Sequence, residues 1–265
     1  MEKELKVKAL VLREVQIGEA DKILTLVCED VGRIDVSAKG VRSLKSPHMA
    51  ATQIFAYSSF VLRQGKKYYY IAESELIEPF FGLRSDIDRL SLASYLADVA
   101  LDLIPEGTED NDILRLTLNA FYAMSERKSI PLRQIKGAYE FKVADLSGFC
   151  PDLGCCLRCG LAQHKEMYLD VMNGGIVCGD CKTPVMLEAA RVDDGTAIIH
   201  LKLSQAVLAA LRYISMTDER RFLGFSLHDE DMRLFSQVCE KYLLDHLEHG
   251  FHSLDFYKSM LLEDI

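Results

Sequence analysis

Apolar and polar positions alternate in short runs over the first 80 residues. Lys6–Leu12 is partly alternating and carries β-branched residues, and Ile23–Cys28 is a second apolar run. Arg33–Lys39 alternates cleanly, with Ile34, Val36 and Ala38 on one face and Arg33, Asp35, Ser37 and Lys39 on the other. Glu29-Asp30-Val31-Gly32 reads as the turn before it. Gln53–Leu62 reads as a fourth strand, Gln64-Gly65-Lys66-Lys67 as a hairpin turn, and Tyr68–Glu73 as a fifth strand. Five short strands predict a small closed barrel.

The period changes near Pro79. Ser85 with Asp88 has the form of a capping box, and Ile87, Leu90, Tyr95, Leu96, Val99 and Leu103 follow at helical spacing up to Pro105 and Gly107. A second helix is expected over about 112–127. A third opens at Pro131 and carries Ile135, Tyr139, Val143 and Leu146 on one stripe. Gly148 to about Leu187 has no helical period. Ser204 is positioned to cap a helix running to about Ser215, and an amphipathic helix from Asp229 to His249 ends at Gly250. The expected fold class is α+β and multidomain. It comprises an N-terminal five-stranded oligonucleotide-binding barrel (1–80), an α-helical domain (81–148 and 188–265) and an inserted four-cysteine zinc-binding module (149–187).

Composition sharpens this picture. The chain has 265 residues and is 49% apolar, enough for substantial cores. No run approaches the roughly 18 apolar residues of a membrane span. Met1–Lys8 mixes Glu and Lys without an apolar signal core, so a cytoplasmic protein with no membrane partner is expected. The net charge of −9 argues against a nucleic-acid partner until its distribution is read. Residues 1–85 carry 13 Lys and Arg against 11 Asp and Glu, whereas residues 86–265 carry 18 against 29. Within 32–67, seven cations (Arg33, Lys39, Arg42, Lys45, Arg63, Lys66, Lys67) face one acid, Asp35. Because fields are screened within about 8 Å, local charge sets what a phosphate chain feels. Arg33, Lys39, Arg42, Lys45, Lys66 and Lys67 are therefore candidate DNA-binding residues. Bases would stack on one or two of Phe55, Tyr57, Phe60, Tyr68, Tyr69 and Tyr70; the sequence does not say which.

Four of the eight cysteines form two Cys-x-x-Cys pairs, Cys156 with Cys159 and Cys178 with Cys181, separated by 18 residues. Two such turns complete a tetrahedron around one zinc ion, and four thiolates leave no open position, so the site is expected to be structural. Cys155 could replace Cys156 only with a three-residue spacer, and His164 could stand in for a cysteine. A redox dithiol is the competing use of such pairs. Gly160 and Gly179 each follow a cysteine, and Gly174-Gly175 reads as the turn of the intervening hairpin. Cys28 and Cys239 lie on apolar patterns and read as core.

Two stretches carry a resemblance. Gly18-Glu19-Ala20-Asp21-Lys22-Ile23-Leu24, Gly32-Arg33 and Ala38-Lys39-Gly40-Val41-Arg42-Ser43 resemble the opening of the bacterial RecO family. Gly148-Phe149, Pro151, both cysteine pairs and Gly174-Gly175 resemble its later part in the same order. The resemblance implies the three-part fold above. It also implies binding of single- and double-stranded DNA, annealing of complementary strands, and cooperation with RecR to load RecA at DNA coated with single-stranded-DNA-binding protein, whose acidic C-terminal tail is a further partner. It implies a nucleoid-associated DNA repair protein and not an enzyme. Arg33, Lys39, Arg42 and Lys45 lie inside the matching motif. At the C-terminal end, Lys258-Ser259 is followed by Met260-Leu261-Leu262-Glu263-Asp264 where many relatives carry basic residues. For the acidic tail, Arg133 and Lys136 at i,i+3 on the third helix are the candidate groove.

No nucleophile, base and orienting residue occur together, and no Gly-x-x-x-x-Gly-Lys loop is present. His48, His200 and His228 read as surface or satisfied core residues, and the acids of 106–112 as a solvated loop. The competing readings are a zinc-containing nuclease and a protein–protein adaptor without DNA binding.

Overall fold

The computed structural model describes residues 4–107, 111–183 and 199–263. Parts of two expectations, the acidic loop around Glu109 and Asp110 and the module boundary at 187, lie outside these residues. So does Asp264 of the C-terminal sequence. The chain forms two compact units, residues 1–130 with 251–265, and residues 131–250. The helices expected to make one domain are thus divided between the units.

The first unit contains a closed barrel of β1 (Glu4–Ile17), β2 (Asp21–Cys28), β3 (Gly32–Ala38), β4 (Tyr57–Gln64) and β5 (Tyr69–Glu78), in the order β1-β2-β3-β5-β4. Within the barrel, β3 and β5 pair in parallel and the other neighbours antiparallel. This is the expected oligonucleotide-binding barrel. β1 serves two neighbours, pairing with β4 through residues 4–10 and with β2 through 9–17. A bulge between Val11 and Arg13 bends it around the closure. The barrel interior is filled by Val7, Ala9, Val11, Leu24, Leu26, Cys28, Val36, Ala38, Phe60 and Leu62. Burial pushes the Cys28 thiol up to about 12, as suits a core residue.

Helix α1 (Ile87–Leu103) is capped by Asp86, whose carboxylate accepts the Arg89 N–H at 2.8 Å. The expected cap at Ser85 is displaced by one residue, because the Ser85 hydroxyl donates to the Gly82 carbonyl of a preceding 3₁₀ turn. Helix α2 (Asn111–Glu126) supplies Phe121, held edge-on by Phe55 at 5.2 Å and Phe80 at 6.0 Å. Both of those rings sit on left-handed backbone (φ 66° and 45°), strain that the aromatic packing offsets. A terminal helix that the pattern did not suggest, His252–Glu263, packs on α1. Ser253 donates to Asp98 at 2.7 Å, and Leu254 and Tyr257 are buried.

The second unit is built on α3 (Leu132–Leu146), buried from Gln134 to Ala144. Helix α4 (Gln205–Met216) is capped by Ser204 as expected. Helix α5 (Asp229–Leu247) crosses α3 where Gly137 lies under the Phe235 ring; a methyl group on Gly137 would come within 2.7 Å of that ring. Glu248, not Gly250, takes the left-handed position that ends α5 (φ 59°). Numbering the helices in chain order, the terminal helix is α6. A four-stranded sheet, β6 (Asp152–Cys156), β8 (Gly175–Cys178), β7 (Met167–Asp170) and β9 (His200–Leu203) in that order, carries the cysteines. Gly174, at φ 60°, turns the β7–β8 hairpin as expected.

Candidate metal centre and nucleic-acid interface

The sulfurs of Cys156, Cys159, Cys178 and Cys181 all lie within 4.8 Å of one another. Cys156 and Cys178 end the parallel neighbours β6 and β8, so the sheet delivers both to one point. Cys159 follows on the turn after β6, and Cys181 lies in the helical stretch that opens at Gly179 directly after β8. Zn–S bonds of about 2.3 Å in a tetrahedron place sulfurs about 3.8 Å apart, and Cys159 and Cys178 stand at 3.7 Å. Four close cysteines in this arrangement could hold a metal ion. Burial opposes ionisation of Cys156, but amides of Cys159, Cys178 and Arg158 turned toward its sulfur bring the thiol down to about 6. The Cys178 sulfur, burial and the ionised neighbour push Cys181 up to about 12. Four sulfur donors gathered at one point are the donor chemistry of a bound metal cation.

Cys155 and His164 are not among these ligands. Cys155 precedes Cys156 on β6 and so projects from the other face. His164 receives a hydrogen bond from the Glu166 amide at Nδ1, and its Nε2 lies 3.4 Å from Asp180. Gly160 is left-handed (φ 73°), as its position after Cys159 predicts. Gly179 is not left-handed, and a methyl group there would stand 3.0 Å from the flexible, half-exposed carboxylate of Glu166, a contact that a small shift relieves. Gly148 (φ 89°) terminates α3, and the following Phe149 carbonyl accepts from Tyr242 at 2.7 Å.

At the barrel, the stretches 18–21 and 38–43 are two sides of one structure. Asp21 accepts the Gly40 amide at 2.8 Å, where Gly40 adopts φ 67°. The Arg42 amide donates to Ala20 at 3.1 Å, and its guanidinium donates to Gly18 and Glu19 carbonyls at 3.2 and 2.9 Å. Arg42 thus braces the β1–β2 turn, while the rest of its exposed guanidinium has no partner among the described residues. Val41 is buried and Leu44 is 89% exposed, which aims the loop outward.

Lys39, Lys45, Lys66 and Lys67 are exposed, and none has an ion-pair partner among the described residues. Three other barrel cations are paired: Lys22 with Glu14 at 2.7 Å, Arg63 with Glu4 at 3.3 Å and Arg13 with Asp98 at 3.5 Å, whereas Lys6 and Lys8 on β1 are exposed and, like the four lysines, have no ion-pair partner among the described residues. Arg33 also leaves the candidate DNA set. Its guanidinium donates to the Leu101 carbonyl at 2.5 Å and approaches Glu106 at 3.5 Å, while its amide bonds Pro105. These contacts tie β3 to the end of α1. Alternation placed Arg33 on the outer face correctly, but at Arg33 the end of α1 covers that face in part, leaving its side chain 30% exposed.

Lys136 is a second correction. It is 2% exposed, with its ammonium 2.7 Å from Glu140 and 2.8 Å from Glu240. Burial opposes its charge, yet the two carboxylates hold it protonated, above the ordinary lysine value. It therefore cannot meet a partner's tail. Arg133 is exposed and lines a cleft of about 270 Å³ with Pro131, Leu227, Asp229, Met232 and Arg233. Arg233 is the cation that sequence reasoning missed. It belongs to α5, and only the pairing of α3 with α5 brings it beside Arg133.

The N-terminal model of Recombination protein O matches residues 1–80, and its C-terminal model matches residues 84–255. A DNA repair protein RecO of Acetivibrio thermocellus is 32% identical over 97% of each chain. One from Pelotomaculum thermopropionicum is 33% identical over 95% of this chain and 92% of its own. One from Alkaliphilus metalliredigens is 28% identical over 97% and 99%.

Proposed function

The chain belongs to the RecO family of DNA repair proteins, and on that premise we propose that it is a recombination mediator. In this reading it binds single- and double-stranded DNA, anneals complementary strands, and with RecR helps load RecA onto DNA coated with single-stranded-DNA-binding protein. The observation that carries the reading is the set of four exposed, ion-pair-free lysines on the 39–45 loop and the 65–68 hairpin. Cations without a protein counter-charge are those a phosphate chain can neutralise at no loss of an internal pair.

Annealing then needs no reacting side chain. The lysines hold two backbones close by lowering their mutual repulsion, and base pairing supplies the specificity. Contacts to phosphates alone carry no sequence preference. The acidic remainder of the chain repels DNA and leaves surface for protein partners. In the same reading the four cysteines hold zinc, a soft-ligand tetrahedral site with no open position, which fixes the turns of the β6–β9 sheet. The cleft that Arg133 and Arg233 line together with Leu227, Met232 and one acid, Asp229, suits an acidic tail with an apolar side chain. This revises the expected groove, with Arg233 in the place of Lys136.

The test is annealing of two complementary fluorescent oligonucleotides by wild type and by Lys39→Glu/Lys67→Glu. Loss of annealing in a variant that melts like wild type and keeps its zinc supports the reading. Unchanged annealing overturns it, and shortening of either strand with added magnesium would point to the nuclease instead.

A further inference from the structure

Phosphate contacts account for backbone binding, but an annealing protein must also hold bases unpaired and accessible. We propose that Tyr70, with Tyr68 beside it, is a stacking platform for bases of single-stranded DNA, with Lys39 and Lys67 positioned for the adjoining phosphates. This rests on the DNA-binding reading and adds a base subsite to it.

The other aromatics near the hairpin are committed elsewhere. Phe60 fills the barrel and Tyr69 packs against that core. Phe55 is buried against Phe121, and the Tyr57 hydroxyl donates to Glu29. Tyr70 is 37% exposed, and neither its hydroxyl nor that of Tyr68 has a partner among the described residues. Its place follows from register: Tyr70 stands opposite Ser37 on β3 and Arg63 on β4, at the edge where the 39–45 loop leaves the barrel.

The hairpin is shaped to receive this ring. Gly65 closes the turn by donating to the Tyr68 carbonyl at 3.1 Å. A methyl group on Gly65 would stand 2.2 Å from Cε2 of Tyr70 and 2.6 Å from the Tyr68 carbonyl oxygen. The ring therefore lies directly over a residue that has no side chain. Each tyrosine also carries an ammonium: Lys39 Nζ is 5.4 Å from the Tyr70 centroid, and Lys67 Nζ is 5.0 Å from that of Tyr68.

A lysine over a tyrosine brings together the two groups a nucleotide needs, a π-face for the base and a cation for its phosphate. Stacking of a base on an aromatic ring is stronger than an exposed cation–π contact. An incoming base thus takes the ring, and the displaced ammonium, on its flexible stem, moves to the phosphate. Every base has a π-face, so the platform discriminates single strands from duplex and not one base from another.

The chain contains no tryptophan, so Tyr70→Trp introduces a sole indole reporter. Binding is followed by anisotropy and the indole by emission, with oligothymidine and with an abasic deoxyribose-phosphate oligomer of equal length. At equal occupancy, oligothymidine should quench the indole and the abasic oligomer should not. Tyr70→Ala should weaken oligothymidine binding about ten-fold and leave abasic binding within about two-fold, with Tyr70→Phe binding like wild type. If oligothymidine binds but leaves the indole unquenched, and Tyr70→Ala binds it like wild type, the platform is overturned while DNA binding stands. If wild type binds neither oligomer, the DNA reading fails and the platform with it.

Discussion

Replacing Lys39, Lys45, Lys66 and Lys67 together by glutamine isolates the unpaired charge of the 39–45 loop and the 65–68 hairpin. Each lysine that neutralises a phosphate of a single strand contributes about 0.7 to the slope of log affinity against log salt. Four such lysines account for a slope of about 2.8, or roughly a 50-fold fall in affinity between 50 and 200 mM salt. The quadruple variant should lose that share of the slope and bind weakly at the lower salt. The residues are exposed and make no internal ion pair, so the melting temperature should stay within about 2 °C of wild type. The assay is anisotropy of a labelled oligothymidine across a sodium chloride series. Arg63→Gln is the control, since Arg63 already faces Glu4 at 3.3 Å, and its slope should remain near that of wild type. A quadruple variant whose slope differs from wild type by less than about 1 would show that phosphates are bound elsewhere and would refute the assignment.

Arg33→Gln should lower stability by about 1–2 kcal/mol through loss of the Leu101 and Glu106 contacts, read by denaturant melts, and leave the salt slope unchanged. Lys136→Met, which removes the ammonium that faces Glu140 and Glu240, should destabilise the second unit by about 3–5 kcal/mol; a variant that melts like wild type would contradict the buried triad. Cys159→Ser, or treatment with a chelator, should remove one zinc per chain in metal analysis and lower the melting temperature, while oligothymidine affinity moves by less than about two-fold if the zinc site is structural and contributes no phosphate contact. Arg233→Glu should abolish binding of an acidic tail peptide by titration calorimetry, and Lys136→Arg, if it folds, should leave that affinity unchanged.

Local patterning determined much of this protein. The strand alternations of 6–12 and 33–39, the stripe of α3, the Ser204 cap and the Cys-x-x-Cys spacing all depend on residues within a few positions of one another. Each appears in the structure near where the sequence placed it. The barrel was legible because five alternating runs have few ways to bury their apolar faces. What the sequence could not decide was which polar groups remain available. Arg33 and Lys136 are cations like those of the 39–45 loop, but their partners are remote: Leu101 is 68 residues away from Arg33, and Glu240 is 104 from Lys136. Burial of a charge is a property of such non-local pairs. The same holds for Tyr70 against Tyr69, which differ only in the face that the β3–β5 register assigns them, and for Arg233, which meets Arg133 only through helix packing. Spacing chose the four cysteines, and the parallel pairing of β6 with β8 brought their sulfurs together.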